Sequence, residues 1–276
     1  MSDSSQVSRR RLRVAIVGWG AIARRVAALL AERGRGEIAF VAVAVRDTAA
    51  PRPDLPASAR LIAEPGELTG LDIDLVVEAA GRPSVEPWGQ AALSAGRDFV
   101  VSSTSAFCDD ALLARLVASG ERTGAQILVP PGAMGGIDAL AAAATLDLET
   151  VEHTIVKPPA AWRGTAAETL TDLDDLDGAK IFFSGTAREA ADRFPQNANV
   201  AVISALAGIG LDRTRVALCA DPSVSRNGHR IAAEGAFGRL DVSIENEPLA
   251  TNPKSSEMTA LSLVRLLENR VRALVR

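Results

Sequence analysis

The stretch that most limits what this chain can fold into is LRVAIVGWGAIARRVAALLAERG, residues 12 to 34. A short β-branched run leads into a glycine-rich turn, and a helical pattern follows. Ile22, Val26, Leu29 and Leu30 recur at the spacing of one helix face, and Gly34 ends the helix. The turn reads Gly18-Trp19-Gly20-Ala21-Ile22-Ala23. Gly18 permits the tight turn. Gly20 lets the amides of the opening helix, where Ala21 and Ile22 sit, approach a pyrophosphate, and Ala23 is small enough for helix and strand to pack closely. Glycine pairs are weak evidence alone, but here a strand precedes, a helix follows, and a second strand, IAFVAVAV, comes next. The segment reads as a dinucleotide-binding βαβ unit. Asp47 lies at the end of the second strand, where an acid holds an adenosine ribose 2′-OH. Arg46 beside it would instead favour a 2′-phosphate, so the choice between NAD and NADP stays open.

The same grammar continues. DIDLVVEAAG is a third buried strand, PSVEPWGQAALSAG a helix, RDFVVSS a strand, DDALLARLVASGERTG a helix capped by Asp109 or Asp110, and AQILVPPG another strand. Such alternation means right-handed crossovers and a doubly wound, Rossmann-type parallel sheet. After PPGAMGGIDALAAAA the pattern changes. ETVEHTIVKPP, RVALCAD, HRIAAEGAF and RLDVSIENEP are strand-like, with helical AREAADRF and NANVAVISALAGIG among them, and EGAFGR turns a hairpin. This is an α+β segment with a mostly antiparallel sheet. The closing NPKSSEMTALSLVRLLENRVRALVR reads as a long amphipathic helix that returns to the nucleotide domain. The expected division is residues 1–10 as a disordered tail, 11–130 with 251–276 as the dinucleotide-binding domain, and 131–250 as the catalytic and dimerisation domain.

Composition excludes several classes. A net charge of -4 suggests neither nucleic acid nor a membrane surface as partner, so an anionic ligand needs a local positive site. Cys108 and Cys219 belong to no ligand spacing and fit free thiols in a reducing cytosol. No apolar run approaches the roughly 18 residues of a membrane span. SRRRLRVAIVGWGAIA mimics an export signal, but glycines interrupt its apolar part and a helix follows directly. The acidic ETLTDLDDLDG lacks the spacing of a calcium loop and reads as solvated; no metal site is expected.

In order and spacing, GWGAIA, VVEAAGRPSV, ALSAGRDFVVSS, LVPPGAMGGIDAL, VKPP, FPQNANVA, ADPSVSRNGHRI and NPKSSEMTAL resemble the L-aspartate dehydrogenases over nearly the whole chain. Trp19 inside the glycine turn and the SSTSAF segment depart from that pattern. The resemblance implies His229, in the N-x-H segment, as the active-site residue, and Ala133 and Asn199 as contacts of the nicotinamide cofactor. It also implies NAD(P)-dependent oxidative deamination of L-aspartate to iminoaspartate, then oxaloacetate and ammonia, feeding NAD biosynthesis in a cytoplasmic homodimer. Counting by two from His229, Ile231 and Ala233 share its strand face, so the histidine begins the inward face. A histidine titrating near neutrality suits proton transfer with a substrate amine. His153 reads as a sheet-surface residue. Lys157, Arg163 and Lys254 are equal candidates for the substrate carboxylates. The rival readings are another two-domain amino-acid or hydroxy-acid dehydrogenase and a non-catalytic nicotinamide-binding sensor; FPQNANVA together with His229 favours an enzyme.

Overall fold

A computed structural model describes residues 11–195 and 199–275. The tail expected at residues 1–10 lies outside the described residues. The chain divides into two compact units. The first holds the residues up to Val101, Leu116–Leu128 and the chain from Leu263; the second holds Ser102–Arg115 and Val129–Ser262.

The first unit is a six-stranded sheet of β1 (Leu12–Val17), β2 (Ile38–Ala44), β3 (Arg60–Ile62), β4 (Leu75–Glu78), β5 (Asp98–Val101) and β6 (Ile127–Leu128). Its order is β3-β2-β1-β4-β5-β6, and every pairing is parallel. The central strands are buried on both faces, which is why VAIV and LVV read as unbroken apolar runs rather than alternations. α1 (Ala21–Glu32) covers the sheet with Ala23, Val26, Leu29 and Leu30. α2 (Arg82–Ser94) follows β4 and buries Val85, Trp88, Ala92 and Leu93. β3 was not foreseen; three residues leave too little pattern to recognise. α3 (Asp110–Thr123) begins in the second unit and ends in the first. Its cap is settled: Asp109 Oδ1 accepts from the Leu112 N–H at 3.0 Å.

The second unit is built on a five-stranded sheet of β7 (Leu148–Lys157), β8 (Lys180–Thr186), β9 (Arg215–Ala220), β10 (Asn227–Gly235) and β11 (Gly238–Asn246), ordered β11-β10-β7-β9-β8. All pairings are antiparallel except β7 with β9. β10 and β11 form the expected hairpin, closing at Gly235 and Gly238. β8 was missed: its KIFF opening follows the acidic loop closely. α4 (Ile137–Ala143), α5 (Ala187–Arg193) and α6 (Asn199–Ala207) belong to this unit. One cluster packs Leu140, Val151, Ile231 and Ala233, with Val200 and Ala207 against it.

Two boundaries differ from the sequence reading. Residues 102–115 belong with the second unit, because Thr104 and Ser105 bind Asn199, and Arg188 binds the Cys108 carbonyl and Asp110. Residues 251–262 do too. The closing segment is not helical throughout: Asn252–Ser256 is a strand, β13, paired with Pro248–Leu249 (β12), and α7 covers only Glu257–Asn269. From Leu263 the chain does belong to the first unit. There Glu268, 3 % exposed, accepts from Arg33 Nε at 2.7 Å and from Arg35 Nε at 2.8 Å.

Candidate active site

In the first unit the candidate site is made of backbone. Gly18 has φ +90°, and a Cβ there would lie 2.7 Å from the Ala79 carbonyl and 2.8 Å from the Ala80 Cβ. No other residue fits that turn. At Gly20, the N-cap of α1, nothing stands within 4 Å of where a Cβ would sit, so the helix start faces open space. Ala21 and Ile22 form the first turn of that helix, and Ala23 is wholly buried against the sheet. A cavity of about 840 Å³ is lined by Gly18, Trp19, Gly20, Arg46, Asp47, Arg52 and Ser84, among others. This suits a dinucleotide: a positive helix end without a capping side chain, a glycine that leaves room, and an acid at the end of β2.

Asp47 Oδ1 accepts from the Ala49 N–H at 2.9 Å, which fixes the carboxylate beside the cavity. The sequence reading passed over Arg52. Its guanidinium donates to the Asp47 and Ala50 carbonyls at 2.7 Å each and shares the cavity wall with Arg46. Trp19, the bulky departure, is tethered through its indole N–H to Asp54 Oδ1 at 3.1 Å. After β4, buried Glu78 accepts from the Ala80 and Gly81 amides at 2.8 Å each and from the Ser84 hydroxyl at 3.0 Å, holding the loop that borders the cavity.

In the second unit the candidate site is made of buried side chains. On β10, Asn227, His229, Ile231 and Ala233 point inward, as the count by two requires. On β7 the inward set is Val151, His153, Ile155 and Lys157. His153 is therefore not a surface residue: it is 1 % exposed, and the sequence expectation is corrected. It shares the parity of Val151 and Ile155, and that signal was present in VEHTIVK. In register, His153 faces Ile231 and His229 faces Ile155, which makes the histidines diagonal neighbours on one sheet face. His153 Nε2 lies 3.4 Å from His229 Nδ1, and His153 Nδ1 lies 3.0 Å from the Ser204 hydroxyl on α6.

Burial pushes the His153 pKa down to about 3. His229 is held well below the usual histidine range, chiefly by burial and then by His153 and Lys157. Both rings are neutral at neutral pH. Lys157, also buried, stands over the Trp162 ring with Nζ 5.2 Å from its centroid, and burial lowers its pKa to about 8. Of the three candidate cations, only Lys157 shares the histidines' face. Arg163 is exposed and paired with Asp174, and Lys254 is exposed.

Ala133 and Asn199 fall in this unit as well. The Ala133 carbonyl accepts from Asn246 Nδ2 at 2.9 Å, and Asn246 pairs in register with Asn227, two residues from His229. Asn199 opens α6, the helix that carries Ser204. Its Oδ1 accepts from the Ser105 N–H at 2.9 Å and its carbonyl from the Thr104 hydroxyl at 2.8 Å. The SSTSAF segment thus acts as the clamp on Asn199. The Asn227 amide nitrogen, in contrast, is buried with no hydrogen-bond partner among the described residues. A cavity of about 510 Å³ borders β10 too; His229 touches it, but Thr154, Val156, Gly228, Arg230 and Ser243 in its wall alternate out of phase with His229 and place most of that wall on the outer sheet face.

A parallel sheet with an open glycine turn, and a mixed sheet with a buried histidine–lysine face, together define a two-domain nicotinamide-dependent dehydrogenase. The homoserine dehydrogenase NAD-binding domain model matches residues 18–130, and the aspartate dehydrogenase C-terminal model matches residues 138–270. The chain is 62 % identical to an L-aspartate dehydrogenase of Brucella anthropi, across 94 % of this chain and 96 % of that protein. It is 42 % identical to one from a Polaromonas species, across 96 % and 99 %. An aspartate dehydrogenase structure from Thermotoga maritima superposes with TM-score 0.77 at 25 % identity, covering 97 % and 100 %. A homoserine dehydrogenase from Thiobacillus denitrificans shares the fold, with TM-score 0.63 at 14 % identity over 95 % and 74 %. The chain belongs to the L-aspartate dehydrogenase family.

Proposed function

We infer that this chain oxidises L-aspartate to iminoaspartate with NAD or NADP, the imine then hydrolysing to oxaloacetate and ammonia or passing to NAD biosynthesis. The observation that carries the reading is the pairing, on one buried sheet face, of a neutral histidine with a lysine. NAD or NADP, when held there, would supply the hydride acceptor for substrate C2. The protein's share is to position C2, take the amine proton and hold two carboxylates. His229, kept neutral by burial, accepts the proton. Lys157 pairs with one carboxylate. The unpartnered Asn227 amide donates to a carboxylate oxygen, which explains a buried donor that otherwise costs about 1–3 kcal/mol.

In this reading Gly18, Gly20, Ala21, Ile22 and Asp47 hold the adenosine and pyrophosphate half of the cofactor, and Ala133 and Asn199 contact the nicotinamide half. The protein acts in the cytoplasm as a homodimer joined through the second unit's sheet. Among the described residues no helix is long and apolar enough to cross a membrane.

The test is a cofactor-reduction assay across substrates. A site built for two carboxylates leaves a buried cation unmatched with L-alanine, so discrimination on the order of 10³ in kcat/KM is expected. L-malate should not react, and oxaloacetate should be reduced only with ammonia present. Ammonia-independent NADH consumption with oxaloacetate would instead mark a hydroxy-acid dehydrogenase, and silence with every dicarboxylate a sensor.

A further inference from the structure

We propose that Ser204 and His153 form a relay that fixes the tautomer of His229, placing its proton on Nδ1 and leaving Nε2 bare for the substrate. The inference rests on the reading of His229 as the proton acceptor and adds the groups that make it one. Its direction follows from one hydroxyl proton. The Ser204 hydroxyl lies 3.0 Å from the Ala201 carbonyl, an obligate acceptor in its own helix, and the relay has Ser204 donate there. With that proton directed at the carbonyl, its oxygen accepts from His153 Nδ1, 3.0 Å away, and the relay assigns the ring hydrogen to that nitrogen. A neutral imidazole has one N–H, so His153 Nε2 is a lone pair. Facing it at 3.4 Å, His229 Nδ1 is the donor, and His229 Nε2 is left without a proton.

Every member is buried: Ser204 at 0 %, His153 at 1 % and His229 at 4 % exposure. Little solvent competes to scramble the order, and before substrate binds both rings are neutral because burial opposes their charging. Without this selection, a proton on His229 Nε2 would offer the substrate amine a donor where an acceptor is needed. His153 and Ser204 are positioning residues; neither needs to touch the substrate.

With only two histidines in the chain, the arrangement can be read directly. In untagged protein labelled with ¹⁵N-histidine, two-bond ¹H–¹⁵N correlation spectra identify the protonated nitrogen of each ring. Both rings should be Nδ1–H. Ser204→Ala removes the selecting acceptor, so both rings should gain Nε2–H population, and kcat should fall about tenfold, a part of what a positioned base contributes. KM for L-aspartate should stay unchanged, and Ser204→Thr, which keeps the hydroxyl, should restore the wild-type spectrum and rate. His153→Gln should preserve the His229 tautomer because its amide oxygen can stand near the lost Nε2, whereas His153→Leu should not.

A wild-type His229 protonated on Nε2 overturns the relay, and so does a Ser204→Ala spectrum in which His229 is unchanged. Full turnover in His229→Ala would defeat the underlying assignment of the base while leaving the tautomer measurement intact, so the two failures are distinguishable.

Discussion

The candidate sites of the two units are built in opposite ways. In the first, the site consists of what is missing: no side chain at Gly18 or Gly20, no capping group at the start of α1, and a cavity where those absences coincide. In the second, the site consists of polar groups placed where an apolar core would otherwise be: His153, Lys157, Ser204, Asn227 and His229, all buried. A pyrophosphate is a diffuse anion, and backbone amides at a helix end suit it. An amine that must lose a proton needs a group whose protonation state is set, and only a buried side chain offers that.

This difference governs the sizes of the effects expected on mutation. The largest belongs to the second unit. His229→Ala should lower kcat by about 10²–10⁴, the range of a positioned acid–base group, while NAD affinity measured by fluorescence titration stays near wild type. Turnover within a few-fold of wild type would remove His229 from the chemistry. A loss of cofactor binding would break the separation of roles between the units.

Lys157→Met comes next. A charge-assisted hydrogen bond to a carboxylate is worth about 1.5–3 kcal/mol, so KM for L-aspartate should rise roughly 10- to 100-fold, with kcat much less affected. The lysine's lowered pKa adds a signature. Succinate has no amine to titrate, so its inhibition constant should worsen as the pH passes about 8 and Lys157 loses its proton. In Lys157→Met that pH dependence should vanish. If succinate binds alike at pH 7 and pH 9.5 in wild type, Lys157 does not hold the carboxylate.

The buried histidines also leave a mark on stability. His153 has a pKa of about 3 in the folded chain against an ordinary value of 6.5. Between those values the unfolded chain takes up a proton that the folded chain refuses. The contribution is complete above about pH 6.5 and is lost progressively as the pH falls toward 3, at about 1.4 kcal/mol per pH unit. From pH 6.5 to pH 5, wild type should therefore lose about 1.5 kcal/mol more than His153→Leu in denaturant unfolding. Equal losses in the two proteins would mean that the ring is protonated without cost, and hence not buried in solution.

How much was legible in the sequence follows the same division. The first site is local: strand, glycines, helix and acid fall within residues 12 to 47, and each carries its meaning in its immediate neighbours. Five of the six parallel strands followed from the alternation; the three residues of β3 did not. The second site joins residues distant in the chain, with His153 and His229 76 positions apart and meeting only through strand pairing and the packing of α6. His229 could be read because its segment resembles a family. His153 was misplaced because a lone polar residue in a strand reads as exposed, although Val151 and Ile155 on either side fixed its parity inward. Ser204, within an apolar helix, and the order β11-β10-β7-β9-β8 had no local signature at all.

The smallest expected effect tests the first unit where backbone alone does not decide. The glycine turn and the helix end treat NAD and NADP alike, so any preference must come from side chains at the end of β2. Asp47 is held by the Ala49 amide with its second oxygen uncommitted by that bond, while Arg46 and Arg52 line the same cavity. A carboxylate at the ribose accepts from the 2′-OH of NAD and repels the 2′-phosphate of NADP. Asp47→Ala should thus weaken NAD by about 1 kcal/mol, a several-fold rise in KM, and leave NADP level or improved. Arg46→Ala should do the reverse, and Arg52 should matter less because its guanidinium already serves the Asp47 and Ala50 carbonyls. The check is the ratio of kcat/KM for the two cofactors in each variant. Equal changes for both cofactors would show that neither side chain reaches the ribose, and the first site would then be backbone throughout, in still sharper contrast with the buried side chains of the second.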